Sequence, residues 1–198
     1  MPLRADAYCS TEYHDPSNRR FHAQPVACAA CGPCYYLREG DEILRGGNIV
    51  VRRAAELLNQ GKVLAIKWLG GYHLACDAMN TSAVSTLRER KYRKEKPFAV
   101  MVKDLAAARK LVELSADAEL LMTSVARPIV LAGAKLDLPG VAPGNNELGV
   151  MLPYTPLHHL LFAAGAPQRL VMTSANRSSE PIAYTDDDAV ERLHPSPS

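Results

Sequence analysis

The chain is poor in aromatics, which make up 6% of its 198 residues with a single Trp, and its net charge is only +2. So few rings leave little for base stacking, and so small a charge argues against a general nucleic-acid or membrane-surface binder. A local basic patch remains compatible with both numbers. No apolar run approaches the length of a membrane span, and the N-terminus lacks the charged-then-apolar pattern of a signal peptide. A cytoplasmic, reducing compartment is the resulting expectation. There is no internal repeat. Against these absences, 47% hydrophobic and 22% charged residues are enough to bury a core and exclude wholesale disorder.

Residues 1–46 show no sustained hydrophobic period and are rich in Pro, Gly, Cys, Asn and Asp, so they are expected to be irregular and held by something other than burial. The five cysteines are Cys9, Cys28, Cys31, Cys34 and Cys76. In a reducing compartment, clustered cysteines point to a metal sooner than to disulfides. Cys28-Ala-Ala-Cys31 has the spacing of a metal knuckle, with Gly32-Pro33 as its turn, and Cys9 lies at a distance usual for paired knuckles of tetrahedral zinc sites. Asp6 stands where the partner of Cys9 in a first C-x-x-C would fall and can complete the set. His14, His22 and Cys34 are the substitutes. Cys76, alone in an apolar stretch, is expected to be a buried core thiol.

From residue 47 to 198 the pattern is regular. Asn48 is placed to cap a helix through Val50, Ala54, Leu57 and Leu58, ending at Gly61. VLAIKWL is expected as a buried strand interrupted by Lys67, which either snorkels outward or faces a ligand. After Gly70-Gly71 come a strand, YHLACDA, and a helix from Thr81 to Tyr92. FAVMV is a strand, Asp104 caps LAAARKLVEL, Ser115 caps ADAELLMTSV, and PIVLAGA and LGVML are strands around a loop at 135–148. Thr155-Pro156 opens a helix stopped by Gly165, RLVMTSA is a strand, and Thr185 with three aspartates starts a last short helix. HPSPS is expected to fray. The alternation predicts an α/β or α+β domain around a mixed sheet.

Two stretches bear chemistry. RERKYRKEKPFAVMVK carries Lys91, Arg93, Lys94 and Lys96 at a helix-to-strand junction, where the helix is expected to break at Pro97. These cations read either as a solvated face diluted by Glu89 and Glu95, or as a convergence on an anion. Thr173, Ser174 and Asn176 follow an apolar strand directly, at the strand's C-terminal mouth, where α/β sheets usually bind ligands. They read either as a polar turn with a helix cap or as ligands. K-x-R at one junction and S-x-N at another is more specific than either alone.

That combination resembles the K-x-R…S-x-N pattern of YrdC-like domains, which are twisted open α/β folds with a large basic cavity that binds ATP and makes carbamoyl-type adenylates. Within that superfamily, YHDPSNRRFHAQPVACAACGP, GGYHLACDA, KYRKEKPFAVMV, NELGVMLPYTPLHHLL and VMTSANRSSEPI resemble HypF-type carbamoyltransferases of [NiFe]-hydrogenase maturation. The resemblance divides the chain into a zinc-finger-like segment, 1–46, and a YrdC-like domain, 47–198, truncated at its C-terminus. It implies ATP with Mg2+, Zn2+ on Asp6, Cys9, Cys28 and Cys31, a carbamate derived from carbamoyl phosphate, and a HypE-like acceptor protein. Lys91, Arg93, Ser174 and Asn176 would be catalytic, with Lys67, Lys96 and Thr173 also lining the nucleotide site. The departures are Asp6 for a cysteine, the extra Cys34, and Trp68 where glycine is usual. HypF-type proteins also carry an acylphosphatase-like domain before these segments and a carbamoyl-transferring domain after them, so the chain is expected to be a fragment.

Two other functions use the same fold. A threonylcarbamoyl-adenylate synthase for tRNA modification shares K-x-R and S-x-N but lacks the cysteine-rich segment. A double-stranded RNA-binding module would use the same basic cavity, against which the small charge and scarce aromatics weigh.

Overall fold

The computed structural model describes residues 6–193 except 25, 29, 33, 69, 94 and 177–180. Lys94, Pro33 of the expected Gly32-Pro33 turn, and HPSPS lie outside the described residues, as does the side chain of Trp68. The chain forms two compact units, Met1–Val50 and Val51–Ser198. Among the described residues no helix is long and apolar enough to cross a membrane.

The first unit is more regular than its composition predicts. Helix α1 spans Ala7–His14 and is capped by Asp6, whose Oδ1 accepts the Cys9 N–H at 2.8 Å. Strands β1 (Tyr36–Glu39) and β2 (Glu42–Arg45) pair antiparallel across a turn in which Gly40 has φ +62°. These elements escape a periodicity search because they bury so little. Cys9 is the one buried residue of α1, and no residue of the hairpin is buried.

Helix α2 (Gly47–Asn59) begins before Asn48, so Asn48 lies in its first turn and is not the cap. Six strands then form one sheet: β3 (Leu64–Trp68), β4 (Gly71–Asp77), β5 (Ala99–Val102), β6 (Val130–Gly133), β7 (Glu147–Met151) and β8 (Arg169–Ser174). Their order is β3-β4-β8-β5-β7-β6. Every pairing is antiparallel except β5 with β7, which gives the expected mixed sheet. Strand β3 is therefore an edge. The expectation of a buried strand fails there, because Ile66 is its one buried residue among those whose side chains are described.

Between them lie α3 (Thr81–Lys91), α4 (Leu105–Leu111), α5 (Ala116–Thr123) and α6 (Pro156–Ala163), with α7 (Asp186–Leu193) last. Asn80, Asp104 and Ser115 cap α3, α4 and α5, each accepting a backbone N–H. Helix α4 is shorter than LAAARKLVEL because Val112 turns extended and bridges Ala134. One core cluster joins Val84 and Leu87 of α3, Leu111 of α4 and Met122 of α5 to Leu74, Cys76, Val100, Val150 and Val171 of the sheet. The alternate strand residues Ala75, Met101, Leu170 and Met172 are buried too, so the central strands are covered on both faces. Cys76 is fully buried, as expected.

Candidate functional site

Helix α3 does not run to Pro97. It stops at Lys91 because Tyr92 adopts the left-handed conformation, φ 51° and ψ 37°. The Arg93 N–H then returns to the Arg88 carbonyl at 3.0 Å, a Schellman-type closure built on tyrosine where glycine is commonest. Left-handed backbone at a bulky residue costs on the order of 1–3 kcal/mol. It ends the helix so that Lys91 points inward and Arg93 starts a separate loop.

Lys91 is only 4% exposed. Its Nζ donates to the Ser174 carbonyl at 2.5 Å, the Asn176 carbonyl at 2.8 Å and Asn176 Oδ1 at 3.1 Å. Ser174 Oγ donates to the same Oδ1 at 2.6 Å. The K-x-R and S-x-N stretches, 83 residues apart from Lys91 to Ser174, thus meet through direct bonds. All three acceptors are neutral, and among the described residues no carboxylate pairs with this ammonium. Burial, then the charge of Arg93, pushes Lys91 down to about 8. A buried cation without a counter-charge at the mouth of a sheet strand makes this a candidate anion site.

The remaining basic residues differ. Arg93, half-buried, spends Nε on the Lys96 carbonyl (3.0 Å) and Nη2 on the Pro97 carbonyl (2.6 Å), and its guanidinium lies 5.2 Å from the centre of the Phe98 ring. Among the described residues Nη1 has no partner. Lys96 is exposed. Lys67 sits on the edge strand, half-exposed, its ammonium paired with the Asp186 carboxylate, which also accepts the Tyr72 hydroxyl at 2.8 Å. Thr173 is half-buried on β8, opposite Leu74 in register.

Arg88 was not singled out by residue pattern, yet it organises the loop. It donates to the carbonyls of Arg93, Lys96, Gly140 and Val141 and stacks on Phe98 at 4.6 Å. The sequence signal was present but hidden, since Arg88 is one of several cations in a continuous run. Gly71 is equally specific. With φ +138°, it lets the backbone pass so close to Ile182 and Ala183 that a Cβ would meet the Ala183 carbonyl oxygen at 2.7 Å. Tyr72 N–H bonds that same oxygen, the Tyr72 carbonyl accepts Ala175 N–H, and Ala183 N–H bonds the Ala175 carbonyl. The S-x-N turn is thereby pinned to β4.

In the first unit, Asp6, Cys9, Cys28 and Cys31 offer ligand atoms all within 4.8 Å of one another. The Cys28 and Cys31 sulfurs are 3.8 Å apart. A tetrahedron with Zn–S near 2.3 Å and Zn–O near 2.0 Å has edges of about 3.5–3.8 Å. The Cys28–Cys31 edge matches it, while Asp6 and Cys28, now hydrogen-bonded, would separate by several tenths of an ångström to admit an ion; the donor types suit zinc. Cys28 N–H reaches Cys31 Sγ at 3.4 Å, and this backbone donor holds the Cys31 thiol below its usual value, favouring a thiolate. Cys28 Sγ donates to Asp6 Oδ2 at 2.8 Å, which holds the Asp6 carboxyl low. The substitutes lie elsewhere. Cys34 is exposed, and the His22 ring stacks on Tyr13 at 4.9 Å.

One unit carries an open mixed α/β sheet with a buried ammonium at a strand mouth, and the other a Cys/Asp cluster, so the class is a mixed α/β domain joined to a finger-like unit. The chain belongs to the Sua5/YciO/YrdC family, whose model, described as Telomere recombination, matches residues 56–197. A second model, HypF finger, matches residues 7–38. The carbamoyltransferase HypF of Rhodobacter capsulatus is 51% identical over 186 residues, covering 93% of this chain and 25% of that protein. Full-length HypF in a phosphate- and nucleotide-bound crystal form superposes with TM-score 0.82 at 44% identity, over 96% of this chain and 25% of the other. HypF of T. kodakarensis gives TM-score 0.84 at 42% identity, again over 96% and 25%. The chain therefore spans about a quarter of the length of these relatives.

Proposed function

We propose that this chain forms the carbamoyl-adenylate in a HypF-type carbamoyltransferase, with residues 1–46 as a zinc-held unit and 47–198 as the nucleotide domain. The observation that carries the reading is Lys91, a buried ammonium held by Ser174 and Asn176 with no counter-charge among the described residues. A phosphate supplies that charge. The likeness to a HypF whose crystal structure contains phosphate and nucleotide supports the same reading.

The reaction needs no protein nucleophile. A carbamate oxygen, derived from carbamoyl phosphate, attacks the α-phosphorus of ATP; the new O–P bond forms as the bond to pyrophosphate breaks. What the protein supplies is alignment and charge neutralisation. The three Lys91 donors are already spent on Ser174 and Asn176, so Lys91 acts on a phosphate through its charge, or gives up one of these acceptors to bond it directly. The spare Nη1 of Arg93 binds a phosphate oxygen, a charge-assisted bond contributing roughly 1.5–3 kcal/mol. Ser174 and Asn176 orient Lys91 and border the reacting end, while Thr173, Lys67 and Lys96 serve the periphery. Mg2+ accompanies the triphosphate. The activated carbamoyl group passes to a cysteine thiolate of a HypE-like acceptor, the new C–S bond forming as the C–O bond to AMP breaks and AMP leaves, in the cytoplasm during [NiFe]-hydrogenase maturation.

Calorimetric titration with ATP and Mg2+ tests the reading. Wild type should bind, and Lys91→Ala should weaken binding at least tenfold. Arg93→Ala should weaken it less, because part of that side chain serves its own loop. Equal affinity in wild type and Lys91→Ala would return the basic stretch to a solvated face.

A further inference from the structure

Lys67 on β3 and Tyr72 on β4 are directly opposed in the antiparallel register, so their side chains leave the same face of the sheet. The Lys67 ammonium lies 5.6 Å from the centre of the Tyr72 ring. Both side chains converge on a single atom. Oδ1 of Asp186, the first residue of α7, accepts the ammonium and, at 2.8 Å, the Tyr72 hydroxyl. An ammonium and a hydroxyl aimed together at one carboxylate oxygen make a two-donor carboxylate seat. The seat stands at the same mouth of the sheet as Lys91. The Tyr72 carbonyl accepts the Ala175 N–H at 2.8 Å, and Ala175 lies between Ser174 and Asn176, whose carbonyls hold Lys91.

Asp186 is an occupant that water and other anions can reach. The Lys67 and Asp186 side chains are 51% and 45% exposed. An ion pair so open to solvent contributes little, because water screens it and two side chains must be held in one geometry. A dissolved carboxylate of similar shape can displace it. Carbamate is such a group, a planar carboxylate with an amino group where aspartate has a methylene. It is also the anion whose oxygen must be placed beside the phosphates. Held through one oxygen by Lys67 and Tyr72, carbamate keeps its other oxygen for the α-phosphorus. Resting on the adenylate-forming reading above, we propose that Lys67 and Tyr72 seat the carboxylate of carbamate and that Asp186 is an internal competitor for the same seat, displaced when the substrate binds.

The experiment removes the competitor and the seat in turn. Wild type, Asp186→Asn, Lys67→Met, Tyr72→Phe and the double variant Lys67→Met/Asp186→Asn are melted to establish folding, then titrated calorimetrically with ATP and Mg2+. Pyrophosphate release is followed against freshly dissolved ammonium carbamate at saturating ATP, with ammonium chloride as the salt control. Asp186→Asn should lower the half-saturating carbamate about fivefold, the upper end for an exposed ion pair, and leave the ATP Kd within about twofold. Lys67→Met should raise half-saturation about tenfold and Tyr72→Phe about fivefold, as expected for lost hydrogen bonds to a charged group, each exceeding any loss of ATP affinity. In the double variant the gain from Asp186→Asn should shrink to less than about twofold, because competitor and substrate meet on Lys67.

An unchanged or raised half-saturation in Asp186→Asn overturns the assignment, since it describes an ion pair that merely ties α7 to the sheet edge. So does an equal loss of ATP and carbamate in Lys67→Met, which would make Lys67 a phosphate contact, or a gain that persists undiminished in the double variant. Should Asp186→Asn fail to fold, Asp186→Ser decides on the same criteria. A wild type that binds ATP but shows no dependence on carbamate overturns the seat. A wild type that binds no ATP overturns the adenylate-forming reading itself, by a separate measurement.

Discussion

Raising the pH should weaken ATP binding, through Lys91 alone. In the folded protein this lysine titrates at about 8, below the ordinary value of 10.5, because it is buried without a counter-ion. Folding therefore disfavours its charged form, and the unfolded chain holds the proton more tightly. The charge costs about 3 kcal/mol of stability below pH 8, and that cost falls away as pH rises from the folded value of about 8 towards the unfolded value of 10.5. A bound phosphate reverses the balance by restoring the charged form, so binding takes up a proton wherever free Lys91 has lost one. At about pH 9 a group titrating near 8 is roughly one-tenth protonated, so affinity should fall about tenfold from its value at pH 7. At pH 8, binding should take up about half a proton. Calorimetry in two buffers of different ionisation enthalpy, at pH 7, 8 and 9 (conditions bracketing about one unit either side of the lysine), reads both quantities. Lys91→Met supplies the flat control. A wild-type affinity constant over this range, with no proton uptake, would refute an unpaired buried ammonium as the phosphate ligand.

Two further outcomes follow from the geometry. Arg88→Ala removes one side chain from four loop carbonyls and from the face of Phe98, and should lower stability by about 2–3 kcal/mol, or roughly 5–10 °C in a thermal melt; an unchanged melt would mean that the loop holds itself. The first unit should carry at most one zinc per chain by metal analysis, lost in Cys28→Ser and weakened in Asp6→Ala, while Cys34→Ser keeps it. Full zinc in Cys28→Ser would remove that thiol from the ligand set.

The architecture of residues 47–198 was legible because its strands and helices bury contrasting faces. Asp104 and Ser115 cap as their positions suggest, and Pro156 and Gly165 bracket α6. Legibility failed where burial is slight or a tertiary contact dominates. Helix α1 and the β1–β2 hairpin bury almost nothing, so no period marks them. Strand β3 reads as central from its apolar run, but its pairing makes it an edge, and Lys67 faces a carboxylate there. The expected helix from Thr81 to Tyr92 is found to within a residue, but the device that ends it, a left-handed Tyr92 well before Pro97, is one that no propensity scale favours. Within the candidate site, residue types alone suggested that Lys91 and Asn176 belong together. The burial of Lys91, the part of Arg93 committed to its own loop, and the place of Tyr72 all depend on register, which a single sequence does not print.

Strand β8 is both the last strand of the sheet and its centre, pairing with β4 on one side and β5 on the other. Among the described residues no other pairing joins β3–β4 to β5–β7–β6. During synthesis, then, the first five strands can make only two separate half-sheets, each with an open apolar edge, until residues 169–174 leave the ribosome. The closing strand also delivers Ser174, so the sheet and the anion site are completed in one event. A nascent chain arrested before that point has two sticky edges and no ligand site, and it is there that chaperone dependence and aggregation should concentrate.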